Sequence, residues 1–197
     1  MEAHEAHETH EHLEHHASAD SGFKTRAALL VSVLAMVLAL ASLGGSDATK
    51  EATYHNLMAS NAYSFYQAKN IRQTAYKVAA DELEITLAKD EKLSAASREL
   101  VGKKLEAYRK NIERYESEPD TGEGKKELMA RAKEHEHERD TALRRDPWFD
   151  YAEALLQIAI VLTSVAIITS RRQLLWGALG LGLMGALSTV NGFLLLI

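Results

Sequence analysis

Residues 27–43 read Ala27-Ala-Leu-Leu-Val-Ser-Val-Leu-Ala-Met-Val-Leu-Ala-Leu-Ala-Ser-Leu43, followed by Gly44-Gly45. This uncharged run comes close to the roughly 20 residues needed to cross a hydrocarbon core of about 30 Å. Lipid offers no partner to an open N–H or C=O, so an isolated apolar stretch of this length crosses as a helix. Upstream lie Lys24 and Arg26, and Ala39-Leu-Ala41 resembles a cleavage site. The preceding segment is acidic, however, with no Lys or Arg before Lys24, unlike a positively charged leader. The expectation is a retained anchor.

Two further apolar blocks lie at the other end. One covers residues 152–169, with Glu153 at its edge and Trp148, Phe149 and Tyr151 at the level where aromatic side chains favour the interface. The other runs from Gln173 to Ile197 without a charge. The averages of the 197-residue chain, 46% hydrophobic and 26% charged with net charge −5, hide this segregation. Two prolines, few glycines outside the C-terminal block and no β-type alternation favour helix throughout. The expected fold is an all-α membrane protein with three transmembrane helices, 23–45, 151–170 and 173–197. Between the first and second lies a polar region, 46–150, read as a long helical hairpin or coiled-coil-like element. A tail, 1–22, precedes them.

Composition excludes several functions. The chain has no cysteine, hence no disulfide or thiolate metal site. Residues 46–150 hold 21 acidic and 19 basic side chains, a mixed surface without the basic concentration that nucleic acid requires. No phosphate-binding glycine loop occurs, since Gly177-Ala-Leu-Gly-Leu-Gly-Leu-Met-Gly185 lies in an apolar block with no Lys-Ser/Thr after it. No His-Glu-x-x-His occurs either. Glu153, Gln157 and Asn191, the strongly polar groups of the later spans, do not make a transport pathway and suit helix-to-helix hydrogen bonds. No enzyme is expected.

In the polar region Leu57, Asn61, Ser64, Ala68, Ile71, Ala75, Val78, Glu82 and Ile85 recur in steps of four and three. That spacing draws one stripe along a helix. It is thinly apolar, and so predicts stability drawn from packing against other helices, with Ile71 and Val78 in the contact. The stripe resumes as Leu105, Tyr108, Ile112 and Tyr115. Ser117-Glu-Pro-Asp-Thr-Gly-Glu-Gly124 marks the hairpin tip near 117–124. The arms on either side of it are unequal. Either the first folds back at 88–97, or neighbouring subunits cover the surplus.

In the last block Ala178, Gly182 and Ala186 lie four apart, with Gly185 and Thr189, and Ser188 and Gly192, on adjoining stripes. Small residues at this spacing let helix backbones approach in lipid, where hydrophobic drive is absent. The contact lies either within a subunit or between subunits of a homo-oligomer.

The tail carries His4, His7, His10, His12, His15 and His16, interleaved with glutamates. Imidazole and carboxylate together point to weak, unselective binding of a divalent transition metal. A pH-responsive tail and a tail with no site are the other readings. His135 and His137, two apart, point to different helix faces.

Orientation rests on Lys and Arg. Lys24 and Arg26 precede the first span and Arg171-Arg172 fill the turn between the last two, so the positive-inside rule puts both in the cytoplasm. Lys50, Arg139, Arg144 and Arg145 weigh equally against this. The short segments decide, because a translocated stretch as long as 46–150 is less bound by its charges.

The opening Met1-Glu-Ala-His-Glu-Ala-His-Glu8, the Lys24-x-Arg26 anchor, and Ala59-Ser-Asn-Ala-Tyr-Ser-Phe-Tyr-Gln-Ala-Lys-Asn-Ile-Arg72 resemble a bacterial family of small membrane proteins, domain of unknown function 4337. The likeness covers nearly the whole chain. It implies a bacterial inner (cytoplasmic) membrane location and brings no activity or ligand. The leading expectation is an oligomeric structural or scaffolding protein. An oligomeric channel or transporter component, and a metal-sensing protein, are the alternatives.

Overall fold

The computed structural model describes the backbone of residues 2–90 and 93–196 and, within that range, the side chains from Gly22 onward. Among the described residues there are four helices and no strand: α1 (Glu2–Lys89), α2 (Ala95–Glu116), α3 (Lys125–Thr169) and α4 (Arg172–Leu194). They form two compact units, Met1–Glu51 with Thr141–Ile197, and Ala52–Asp140.

In the first unit, α1, α3 and α4 each hold a stretch long and apolar enough to cross a membrane. Its buried positions step along the helices in sevens, or in threes and fours. On α1 they are Ala27, Leu34, Ala41 and Ala48; on α3 they are Phe149, Ala152, Leu156, Ala159, Thr163 and Ala166. On α4 they are Ala178, Gly182, Gly185, Thr189 and Gly192, with Ser188 and Asn191 beside them. This is the spacing of helices that cross at a shallow angle with side chains interlocked. Around Leu34, Phe149 and Leu156 the inside is built mostly from small residues, and many large apolar ones face out, including Leu29, Ile168 and Trp176. The hydroxyls inside are satisfied: Thr163 and Thr189 donate to Ala159 O and Gly185 O one turn back, and Ser188 donates to Trp148 O at 2.7 Å. Pro147 does not interrupt α3.

In the second unit the chain turns twice. The first turn answers the question of the unequal arms, because α1 stops at Lys89 and α2 starts at Ala95. The Ser94 hydroxyl caps α2 by accepting from the Ser97 N–H at 3.2 Å. Across the turn the Arg98 guanidinium donates to Leu87 O and Asp90 O at 3.3 and 3.2 Å, covering carbonyls at the end of α1. The polar region is thus three helical segments and not a two-armed hairpin. The second turn lies where Pro119, Gly122 and Gly124 place it. Gly122 takes φ +67°, which an L side chain rarely adopts, and a Cβ on Gly124 would lie 2.6 Å from Ser117 Cα. Glu127 closes the turn, accepting from the Ser117 hydroxyl at 2.5 Å and the Glu118 N–H at 3.2 Å.

Near that turn Gln73 ties the three segments together. It is 2% exposed. Its Nε2 donates to Ile112 O and Glu116 Oε2 of α2, both at 2.9 Å, while Lys125 Nζ of α3 donates to its Oε1 at 2.8 Å. Tyr76 packs beside it against Tyr108 and Tyr115 of α2, with ring centroids 5.3 and 5.8 Å away.

Candidate functional site

The small-residue stripe of α4 lies within the chain's own packing. Ala178 is fully buried, Ala186 is half-buried, and Gly182 and Gly185 are buried. A Cβ on Gly182 would collide with Leu34 of α1, and one on Gly185 would stand 2.7 Å from Leu156 Cγ of α3. Phe149 explains two more glycines. Its ring, 1% exposed, fills the space over Gly44 and Gly192 and meets Phe193 edge to face, with centroids 4.9 Å apart. Gly44 reads from sequence as the end of an apolar block. Its second role needs a partner about a hundred positions away, which no local pattern reveals.

The heptad stripe of α1 behaves oppositely. Within the chain, the residues of α1 packed inside the second unit are Ala52, Ala59, Ala62, Gln73 and Ala80. Ile71 is 70% exposed and Val78 53% exposed, and Leu57 and Ile85 are exposed with them. Two residues along a helix turn it by about 200°, so the stripe through Leu57 and Ile71 runs nearly opposite the one through Ala59 and Gln73. α1 therefore carries two seams in this unit. α2 and α3 cover one. The expected continuation of the stripe into Leu105, Tyr108, Ile112 and Tyr115 does not form one seam with it, because the break between α1 and α2 puts those residues on the inner face.

One polar pair in this unit was invisible to sequence reading. His55 of α1 and His135 of α3 bring their Nδ1 atoms to 2.9 Å, with ring centroids 5.2 Å apart. A hydrogen bond between two Nδ1 atoms needs one to donate and the other to accept, so the two rings do not both carry a proton there. His137, two positions on, is exposed. Among the described residues no group of three or more His, Asp or Glu side chains converges as a metal site. The side chains of His4, His7, His10, His12, His15 and His16 lie outside the described residues.

Two carboxylates titrate unusually. The hydrogen bond from Gln73, then that from Lys125, holds Glu116 below its ordinary value. The Ser117 hydroxyl does the same for Glu127.

A profile of the family described as Domain of unknown function (DUF4337) matches residues 23–195. The chain belongs to that family. No curated protein and no solved structure matches it. The DUF4337 match starts at Phe23, so the His-rich opening contributes nothing to it, whereas the 59–72 stretch, the first two apolar blocks and the third as far as residue 195 lie inside it.

Proposed function

We propose that this DUF4337 protein is a structural protein of the bacterial inner membrane, non-catalytic, which assembles with copies of itself through the exposed stripe of α1. One observation carries the reading: Leu57, Ile71, Val78 and Ile85 lie exposed in heptad spacing on the face of α1 opposite the one its own chain covers. Water disfavours a regular apolar line, and a seam of period 3.5 is the shape that another helix with the same period fits. A second copy supplies such a helix. The outward-facing Leu, Ile and Trp side chains of the first unit support insertion in lipid, where their exposure costs nothing.

The test is the mass of the full chain in mild detergent by light scattering. The unmodified protein is expected to form a defined oligomer. Ile71→Asp with Val78→Asp should yield a monomer with unchanged helical circular dichroism, because both positions are exposed within the chain. A monomer for the unmodified protein at every concentration defeats the proposal.

A further inference from the structure

In the first unit, where the apolar stretch of α1 ends, Gly44, Asp47 and Glu51 of α1, Arg145 and Phe149 of α3, and Phe193 of α4 line a cleft of about 130 Å³. Its lining divides by chemistry. The rings of Phe149 and Phe193 and the bare backbone of Gly44 form an apolar side. Arg145, Glu51 and Asp47 form a charged side.

The charged side is incompletely used. Arg145 reaches Glu51 through one terminal nitrogen at 3.4 Å, and its Nε is buried without a hydrogen-bond partner among the described residues. A buried guanidinium N–H without an acceptor is costly, and a guanidinium is built to grip an oxyanion with two N–H groups at once. Asp47 meets Lys50 at 3.6 Å with both side chains more than 70% exposed, a weak engagement. The cleft thus offers one two-pronged donor and two carboxylates beside an aromatic floor. The group that matches this is a phosphate ester with a primary ammonium a short linker away and an apolar body. Position agrees. Trp148 and Tyr151 flank Phe149, and such side chains favour the boundary between hydrocarbon and headgroups.

We propose that this cleft binds the headgroup of a zwitterionic aminophospholipid, phosphatidylethanolamine. The phosphate takes the Arg145 guanidinium, the ammonium lies toward Asp47 and Glu51, and the glycerol end leaves over Phe149 and Phe193. The proposal rests on the membrane reading and is independent of the oligomer.

Native mass spectrometry of the full chain tests it, with phosphatidylethanolamine, phosphatidylcholine and phosphatidylglycerol of one acyl composition added in equal amounts. The expected result is preferential retention of phosphatidylethanolamine by the unmodified protein. Arg145→Gln should lower that retention about tenfold, as for loss of one charge-assisted hydrogen bond, with Arg145→Lys falling between. Asp47→Asn with Glu51→Gln should erase the preference over phosphatidylcholine. Unchanged thermal melting of the lipid-free variants separates lost binding from lost folding. Equal retention by Arg145→Gln and the unmodified chain overturns the site, and equal retention of phosphatidylglycerol and phosphatidylethanolamine by the unmodified chain overturns the ammonium half. The same spectra report subunit number, so a monomer that keeps its lipid sinks the oligomer alone. Failure of the chain to float with vesicles sinks the membrane reading.

Discussion

At Gly182 the absence of a side chain sets how near α4 comes to α1, since even a methyl group there would collide with Leu34. Gly182→Leu adds four carbons where there is room for none, and overpacking of a tight interior typically costs about 1–3 kcal/mol. The thermal midpoint should fall while the oligomer mass in detergent stays the same; a change in mass with no change in melting would place the contact between copies. The spacing of the glycine was visible in the sequence, but its partner was not. Gln73 was not visible at all, because a lone glutamine on a polar helix resembles any solvated residue. Its importance comes from acceptors and donors 39, 43 and 52 positions away. Gln73→Leu leaves Ile112 O and Lys125 short of a partner and should cost about 1–3 kcal/mol. It also removes the main cause of the depressed Glu116 titration. A carboxyl whose folded value lies below its unfolded one contributes stability that is present above the unfolded value and lost as pH falls through the folded one. Glu116 and Glu127 both have this sign. Melting of the unmodified chain should therefore be flat near neutrality and drop below about pH 4. The drop should be smaller in Gln73→Leu. The effect is modest, because the Glu116 side chain is 44% exposed and solvent screens it. A pH profile of Gln73→Leu parallel to that of the unmodified chain would remove Glu116 from the account.

Among the elements, α1 was the most legible and the most misleading. Its apolar block and its heptad stripe both stand out by contrast with charged neighbours. The face that its own chain covers is mostly alanine, Ala52, Ala59, Ala62 and Ala80. Alanine packs closely but barely registers as apolar against a background of Lys and Glu. The fold-back at 90–94 was equally muted, having no glycine or proline to announce it; its signal is the Ser94 cap, which works without the glutamate three residues later that completes a capping box. The outer seam has its own flaws, Asn61 and Glu82, both exposed within the chain. α1 holds the first apolar block and the seam in one helix, so in the proposed assembly copies inserted the same way round would pair in parallel, each seam residue facing its own copy. A polar Asn in such a seam selects register at some cost in stability. Two facing Glu82 carboxylates repel, and like charges brought together across an interface cost enough to matter. Glu82→Leu should therefore tighten self-association at neutral pH by at least about tenfold, or 1.4 kcal/mol, read as a lower dissociation concentration in detergent. Weaker association in Glu82→Leu would mean that the seam does not pair in this register.

For the whole molecule the decisive pattern is where charge is withheld. Two stretches free of it, and a third with only Glu153 at its edge, are legible in the sequence among segments dense with it, and each falls in a helix long and apolar enough to span a membrane. Which side each segment faces is written less plainly, because the positive-inside rule counts Lys and Arg near the spans and the count is even. In the proposed three-span topology Lys24, Arg26, Arg171 and Arg172 would fall on one side, and Lys50, Arg139, Arg144 and Arg145 on the other. The rule does not weigh them equally. It is strongest for short loops, and only Ser170 and Arg171 separate α3 from α4, while a region as long as 46–150 translocates largely regardless of its charges. The acidic partners of Arg139 and Arg145, Asp140 and Glu51, do not alter this, because carboxylates contribute little to the rule. Residue 20 is therefore expected in the cytoplasm and residue 120 outside it. The chain contains no cysteine, so Asp20→Cys and Asp120→Cys each create a single reporter. In intact spheroplasts a membrane-impermeant thiol reagent should label the variant at 120 and spare the one at 20 until the membrane is permeabilised. Labelling at 20 with protection at 120 would invert the protein. It would also move the proposed headgroup cleft to the cytoplasmic leaflet, without changing which headgroup it fits.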